Sequence, residues 1–284
     1  PDLQWVTRSL AISVMVSGSS ISFGSSYVFL SRQVSFLSMD FDATAGKVVV
    51  AYKDSQDNYG YAQVGTVSGT SISFGSLATW TNNNPGYISS AYDSTSGKVV
   101  VVYADQSASS AKAIVGTVSG TSISFGSEGT LDSGLLYASD TTYDSNAQRI
   151  VVAYTDANNS NYLTTIVGTV SGTSISFGTS VVVVSSYTQN SCVDFDATAN
   201  KVLITYIDYT NSGYSTAVLA TVSGTSISFG TPLVYSQSTV TYNTVVFDSV
   251  ANKLVISYEK SGGTSSVYTD DGSNSTSFIG IASE

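Results

Sequence analysis

Val118-Ser119-Gly120-Thr121-Ser122-Ile123-Ser124-Phe125-Gly126 decides the architecture, because it is one of five. The phrase, with Ser or Thr in its fourth place, begins at Val16, Val67, Val118, Val170 and Val222, in steps of 51, 51, 52 and 52 residues. A second phrase keeps the same rhythm. It opens on an aromatic residue and an aspartate: Phe41-Asp42, Tyr92-Asp93, Tyr143-Asp144, Phe195-Asp196 and Phe247-Asp248. Self-similarity at a period near 50 residues is the mark of a repeat architecture.

Each unit reads as four short strands. In the second copy the first strand spans residues 87–92 and the second 98–103. The third spans 113–118 and the fourth 122–125. Gly, Ser, Asp and Asn sit where the chain must reverse, and β-branched residues fill the runs between. No segment has a helical period. The second strand, Val99-Val100-Val101-Val102-Tyr103, is apolar on both faces and must be covered on both. The first strand carries small residues such as Ser89, Ser90 and Ala91, which suit a crowded innermost position.

These features predict an all-β chain folded as a five-bladed β-propeller, with four antiparallel strands per blade. Residues 1–262 form the repeat domain. Its fifth blade is expected to be a composite of both termini, residues 9–25 with 240–260, closing the ring. Residues 263–284 are left as an extension, either an outer strand or the lead into a further domain. The closing aromatics (Phe41, Tyr92, Tyr143, Phe195, Phe247) read as plugs between blades.

Composition narrows the function. The net charge is −10, from 10 basic and 20 acidic residues, with no basic run. Nucleic acid is therefore excluded as a partner, since its binding needs clustered Lys and Arg. Charged residues make up 11% of the chain, against roughly 25% in an average domain. A surface solvated by hydroxyls and amides suits an extracellular or virion setting. No apolar run approaches a transmembrane span, so no membrane insertion is expected. The N-terminus lacks the pattern of a signal peptide, and Pro1 in place of Met points to processing or to a fragment. Cys192 has no partner for an internal disulfide and reads as a small core residue.

Histidine is absent, which removes Ser-His-Asp triads, histidine metal sites and the usual neutral-pH base. No phosphate-binding glycine loop is present. The chain is thus expected not to be an enzyme. Paired-carboxylate glycoside hydrolysis stays open as an alternative. The strand order and the Ser-Gly-Thr-Ser-Ile-Ser-Phe turn resemble a sialidase blade, but the Asp and Trp of its Asp-box are missing. The three arginines, Arg8, Arg32 and Arg149, have no supporting context.

Comparing the copies with one another points to one face. The turns between strands one and two, and three and four, are nearly constant. The loops between strands two and three, and four and one, vary freely. Variable loops on a rigid scaffold are where binding is usually built. Their Tyr, Asn, Asp, Ser and single Trp suit sugar rings or protein surfaces. The candidate ligand-binding residues are Tyr59, Trp80, Asn83, Asp105, Tyr162, Tyr187, Tyr209 and Tyr214. The turn aspartates at 42, 93, 144, 196 and 248 read as structural. Asp54, Asp105, Asp156 and Asp208 close the second strand, either as a cation-binding ring or as acceptors for their own loop N–H groups. Asp40, Asp140 and Asp194 fall on first strands at even offsets from the turn aspartate and face the channel in this reading. They are the candidate ligands for a metal such as Ca²⁺; no other cofactor is expected.

The two phrases together, Val-Ser-Gly-Thr-Ser-Ile-Ser-Phe-Gly with Tyr-Asp-Ser-x-x-x-Lys-Val-Val, resemble the tandem repeats of structural and tail-fibre proteins of tailed bacteriophages, marine ones especially. The resemblance covers nearly the whole chain, and Ser277-Phe278-Ile279-Gly280-Ile281-Ala282-Ser283-Glu284 is similar to the segment that leads into a further domain in longer relatives. It implies a virion component facing a host surface, and it carries over no site residues. Two functions follow. One is a binding module that recognises a glycan or surface receptor through the variable loops. The other is a purely structural display module that self-associates within a virion or fibre.

Overall fold

The computed structural model describes residues 9–238, 240–260, 264–270 and 278–282. One sheet recurs along the chain. Val34–Asp42, Lys47–Asp54, Gly60–Ser68 and Ser71–Phe74 pair antiparallel in chain order, and Ala78–Thr81 pairs with Gly60–Ser68 beyond Ser71–Phe74. The pattern repeats from Pro85–Asp93 to Gly129–Asp132. It repeats again from Leu136–Asp144, and again from the strand that ends at Asp196. The last sheet is Val240–Asp248, Lys253–Lys260, Thr264–Asp270 and Phe278–Ala282. The fold is all-β, with no α-helix among the described residues and a single 3-10 turn at Tyr209–Asn211.

Local chemistry accounts for the turns. Asp93 Oδ1 accepts the N–H groups of Thr95 and Ser96 at 2.9 and 3.0 Å, and Gly97 adopts φ +63° to complete the reversal. Asp42, Asp144, Asp196 and Asp248 make the same kind of bond. Four of the five second strands carry a fully buried tyrosine two residues before the aspartate that ends them: Tyr52, Tyr103, Tyr154 and Tyr206. Val99 to Val102 are wholly out of water, each contributing roughly 1.5–3 kcal/mol.

Successive sheets meet along their first strands. Ser38 Oγ lies 2.8 Å from Ser90 Oγ, and Ser89 Oγ lies 2.7 Å from Thr141 Oγ1. The closing aromatics act at these seams. The hydroxyls of Tyr92 and Tyr143 donate to Thr44 and Thr95 in the preceding sheet, both at 2.6 Å, and Phe195 is buried in the core. The seams also explain the glycine that ends the repeated phrase. A Cβ on Gly75 would stand 1.8 Å from the Thr121 carbonyl oxygen of the next sheet, and Gly126 meets Thr173 in the same way.

Two expectations are corrected. The fourth strand does not stop at its Phe. After a short break, bridged by Gly75 N–H to Val64 O at 2.9 Å, the chain resumes strand as Ala78–Thr81. One of the variable loops expected between a fourth strand and the next first strand, residues 180–190, is instead mostly part of one 16-residue strand, Val181–Asp196. It serves as the outer strand of one sheet and the first strand of the next. The unspent length of the long third strand drives this: its remaining N–H and C=O groups need partners.

The composite blade is the second correction. Lys253–Lys260 pairs with Thr264–Asp270, not with the N-terminal strands. Those strands form two small pairs, Ser9–Ala11 with Tyr27–Leu30 and Val14–Ser17 with Ser20–Phe23. A partner next along the chain costs less loop-closure entropy than one more than two hundred residues away.

Candidate functional site

Every first strand carries the same irregularity. The register shifts between Ser35 and Ser38, Gly86 and Ser89, Tyr137 and Asp140, Gln189 and Cys192, and Val240 and Asn243. At four of these bulges a residue other than glycine sits in the left-handed region: Phe36 (φ 51°), Tyr87 (49°), Ala138 (43°) and Asn190 (51°). Such a conformation costs on the order of 1–3 kcal/mol per residue and persists only where its surroundings enforce it. Here the next blade helps: Ser139 Oγ donates to the Tyr87 carbonyl at 2.7 Å, and Ser191 Oγ to the Ala138 carbonyl at 2.5 Å.

A bulge re-aims side chains. These bulges set an aromatic row across the seams. The ring of Phe36 lies 5.3 Å from that of Tyr87, and Tyr87 lies 5.2 Å from Tyr137, edge to face. The row leads into a cavity of about 400 Å³ lined by Tyr87, Tyr137, Ala138, Thr155, Asn161, Tyr187, Thr188, Gln189 and Asn190. Its opposite wall is a braced pair. Tyr187 packs on Tyr209 at 5.1 Å, Tyr209 Oη donates to Gln189 Oε1 at 3.1 Å, and Gln189 Nε2 donates to Tyr187 Oη. Below, the Thr155 hydroxyl donates to the Thr188 carbonyl at 3.2 Å. The Thr188 hydroxyl is buried and has no hydrogen-bond partner among the described residues. No charged side chain lines the cavity.

The cavity lies on the variable-loop face. Asn161 belongs to the loop after Arg149–Asp156, and Thr188 N–H donates to its carbonyl at 3.2 Å. The two variable loops of one blade also touch, through Ala157 N–H to Leu135 O at 3.1 Å.

Three of the eight candidate ligand residues come together here. Tyr187 lines the cavity, Tyr209 supports it, and Tyr162 is the register partner of Tyr187. Tyr214 is half-buried and pairs with Asp208 at the base of the neighbouring loop. Tyr59 is exposed on another blade, beside Tyr61 at 6.4 Å. Asn83 donates to Asp105 at 3.2 Å. Asp105 itself is fully buried, paired with Lys112 at 2.7 Å and capping Ala108 N–H at 2.9 Å, so its lone pairs are used inside its own blade.

Trp80 is a correction. It lies on a strand, is 5% exposed, and packs edge-on to Tyr103 at 4.9 Å. It belongs to the core. The copies carry the signal: Phe29, Leu131, Val183 and Tyr235 stand thirteen residues after the repeated Val, as Trp80 does, and all are apolar or aromatic.

The three first-strand carboxylates, Asp40, Asp140 and Asp194, bind backbone. Val193 N–H donates to Asp140 at 2.9 Å and Phe247 N–H to Asp194 at 2.7 Å, each across a seam. Asp40 likewise accepts from Tyr92 N–H. Each also accepts from the residue that follows it. Among the described residues no group of three or more Asp, Glu, Cys or His could hold a metal ion. Burial raises all three carboxyls, Asp140 to about 6 with the neighbouring Asp194 charge adding to it. Asp54, Asp156 and Asp208 accept N–H groups of their own loops, as Asp105 does.

The bulge residues were invisible to pattern reading. They stand six residues before the turn aspartate, where the sequence reads as the passage from a variable loop into the first strand, as at Tyr87 and Asn190.

No family model matches the chain, and no curated protein matches it. Solved structures do. The Aleuria aurantia lectin in complex with Fucα1-6GlcNAc, in a mutant form, superposes with a TM-score of 0.56 at 14% identity, covering 99% of this chain and 89% of that one. The AofleA protein of Arthrobotrys oligospora, also as a mutant, gives 0.57 at 10% identity over 93% and 78%. A Lactobacillus plantarum protein gives 0.59 at 13% identity over 93% and 75%. At these identities the likeness is one of fold: a multi-sheet, propeller-like all-β architecture shared with a lectin.

Proposed function

We propose that this chain is a non-catalytic carbohydrate-binding module, built as a five-bladed propeller, that takes a neutral sugar in the cavity between the Tyr87–Tyr137 row and the Tyr187–Tyr209 wall. The observation that carries the reading is the cavity's chemistry: tyrosine rings with their hydroxyls, amide groups, and no charge. Aromatic faces stack on the C–H faces of a pyranose, while hydroxyls and amides read its OH groups. A cavity without cations gives no purchase to a sialic acid or a sulfated sugar. It also holds no carboxylate, whereas hydrolysis of a glycoside needs two. The fold shared with the Aleuria aurantia lectin supports the same class of ligand.

We further propose, from the resemblance of the repeats to those of tailed-phage structural proteins, that the glycan belongs to a host surface and the module to a virion. The test is a glycan array with neutral, sialylated and sulfated ligands. Binding should fall among the neutral ones. Tyr187→Ala should weaken it at least about tenfold, the equivalent of ~1.4 kcal/mol, while Tyr59→Ala on another blade leaves it unchanged. No neutral ligand bound, or equal binding by Tyr187→Ala, would refute the reading.

A further inference from the structure

The bulge position carries a second pattern when the copies are set side by side. Six residues before the turn aspartate stand Phe36, Tyr87, Ala138, Asn190 and Tyr242. Three are aromatic. The two that are not, Ala138 and Asn190, both line the cavity. The cavity thus opens where the aromatic side chain of this position gives way to a small or polar one, and the aromatic positions continue beyond it. Phe36 is no part of the cavity's lining, yet its ring lies 5.3 Å from that of Tyr87, which is.

Phe36 is costly where it stands. It holds φ 51°, a region that a bulky side chain avoids. Its ring is also 39% exposed, so neither backbone preference nor full burial accounts for it. Strain kept together with an apolar ring in water points to a recognition surface. The segment belongs to the variable-loop face, since Ser55 N–H, from the loop after Lys47–Asp54, donates to the Gln33 carbonyl at 3.0 Å. Outward from the cavity the rings run Tyr137, Tyr87, Phe36, tilted by 69° and then 48°. Each is turned relative to the last, as successive sugar units are along a glycan chain.

We propose, resting on the neutral-sugar reading of the cavity, that the ligand is a glycan chain and not a single terminal sugar. One unit sits in the cavity, and the units that follow run over Tyr87 onto Phe36. The cavity's volume of about 400 Å³ is near the lower end of the ~300–1,000 Å³ of ligand pockets, so a longer glycan must continue outside it. The ring row is the aromatic surface that adjoins it there. Phe36 has no hydroxyl and meets a sugar only through C–H contacts with its ring. It therefore responds to the length of the chain and tolerates changes in the hydroxyl pattern of the outer units.

The test is calorimetric titration of the full chain with cello-, manno- and galacto-oligosaccharides, monomer to hexamer. In the series that binds, the dissociation constant should fall at least about tenfold from monomer to trimer, because the linked units engage the second site at high effective concentration. Phe36→Ala should leave the monomer's constant within about twofold and lose that gain, whereas Phe36→Tyr keeps it. Phe36→Trp gives a readout that does not depend on affinity: its emission should change on adding the trimer and not the monomer. Equal constants for monomer and trimer, a Phe36→Ala variant that keeps the gain, or Phe36→Trp emission indifferent to the trimer would overturn the chain reading while the cavity reading stands. No binding by any of the three series overturns both.

Discussion

Trp80→Ala separates a core residue from a binding residue. The indole is 5% exposed and sits in the cluster with Val49, Ala62, Val101 and Tyr103. It is so close to the chain that a Cβ on Gly60 would stand 2.5 Å from the ring. Its neighbours belong to two sheets, so the site cannot collapse by moving one of them. Truncation should therefore cost the full range for a buried Trp, about 3–5 kcal/mol. At roughly 2–4 °C per kcal/mol for a domain near this size, Tm should fall by on the order of 10 °C. Trp80→Phe sharpens the argument. The Trp80 Nε1–H is buried and without a partner among the described residues, so phenylalanine loses volume but also removes an unpaired donor costing about 1–3 kcal/mol. It should lose less than half of what alanine loses. The assay is guanidinium denaturation followed by far-UV circular dichroism, with glycan binding measured on the folded protein. A Trp80→Ala variant within about 1 kcal/mol of the parent, but deficient in binding, would refute the core assignment and restore Trp80 to the recognition surface.

Other outcomes follow from the same geometry. Burial holds Asp140 at about 6, above the ~3.9 of an unfolded Asp, so between these values the folded state binds the extra proton. Stability should therefore fall as pH rises from about 4 to about 6, by on the order of 2–3 kcal/mol, and Asp140→Asn should flatten that slope in a Tm-versus-pH series. Gly75→Ala places a methyl into the Thr121 carbonyl and should cost about 3 kcal/mol or more, whereas Gly69→Ala, in open space at φ +57°, should cost only about 1–2 kcal/mol; urea titration of the pair checks this. Ala138→Gly relaxes a left-handed backbone at the cavity and should leave stability level or raised by up to about 1 kcal/mol, measured by the same titration.

Much of the fold was legible because repeats are legible. Five copies in step exposed the turns, where an aspartate must cap N–H groups and a Gly or Asn must accept positive φ. They exposed the doubly buried second strand, because only covered strands tolerate apolar residues on both faces. The loop aspartates after that strand were readable for the same local reason. Reading failed where the partner was distant. Trp80 looks like a loop residue when the phrase before it ends in Gly-Ser; only the unpaired remainder of Gly60–Ser68 draws that segment back into strand. Asp140 looks like a metal ligand until Val193 N–H from the next blade is seen to occupy it.

The sequence by itself determined the period, the strand content, the constant and variable faces and the absence of histidine chemistry, since these follow from residue type and spacing along the chain. Only the tertiary structure decided where the tyrosines meet. The cavity joins residues from Tyr87 to Asn190, and the bulges that aim them are backbone irregularities with no fixed residue type. What enforces those bulges is packing and hydrogen bonding from the neighbouring blade, and a linear pattern does not encode that contact.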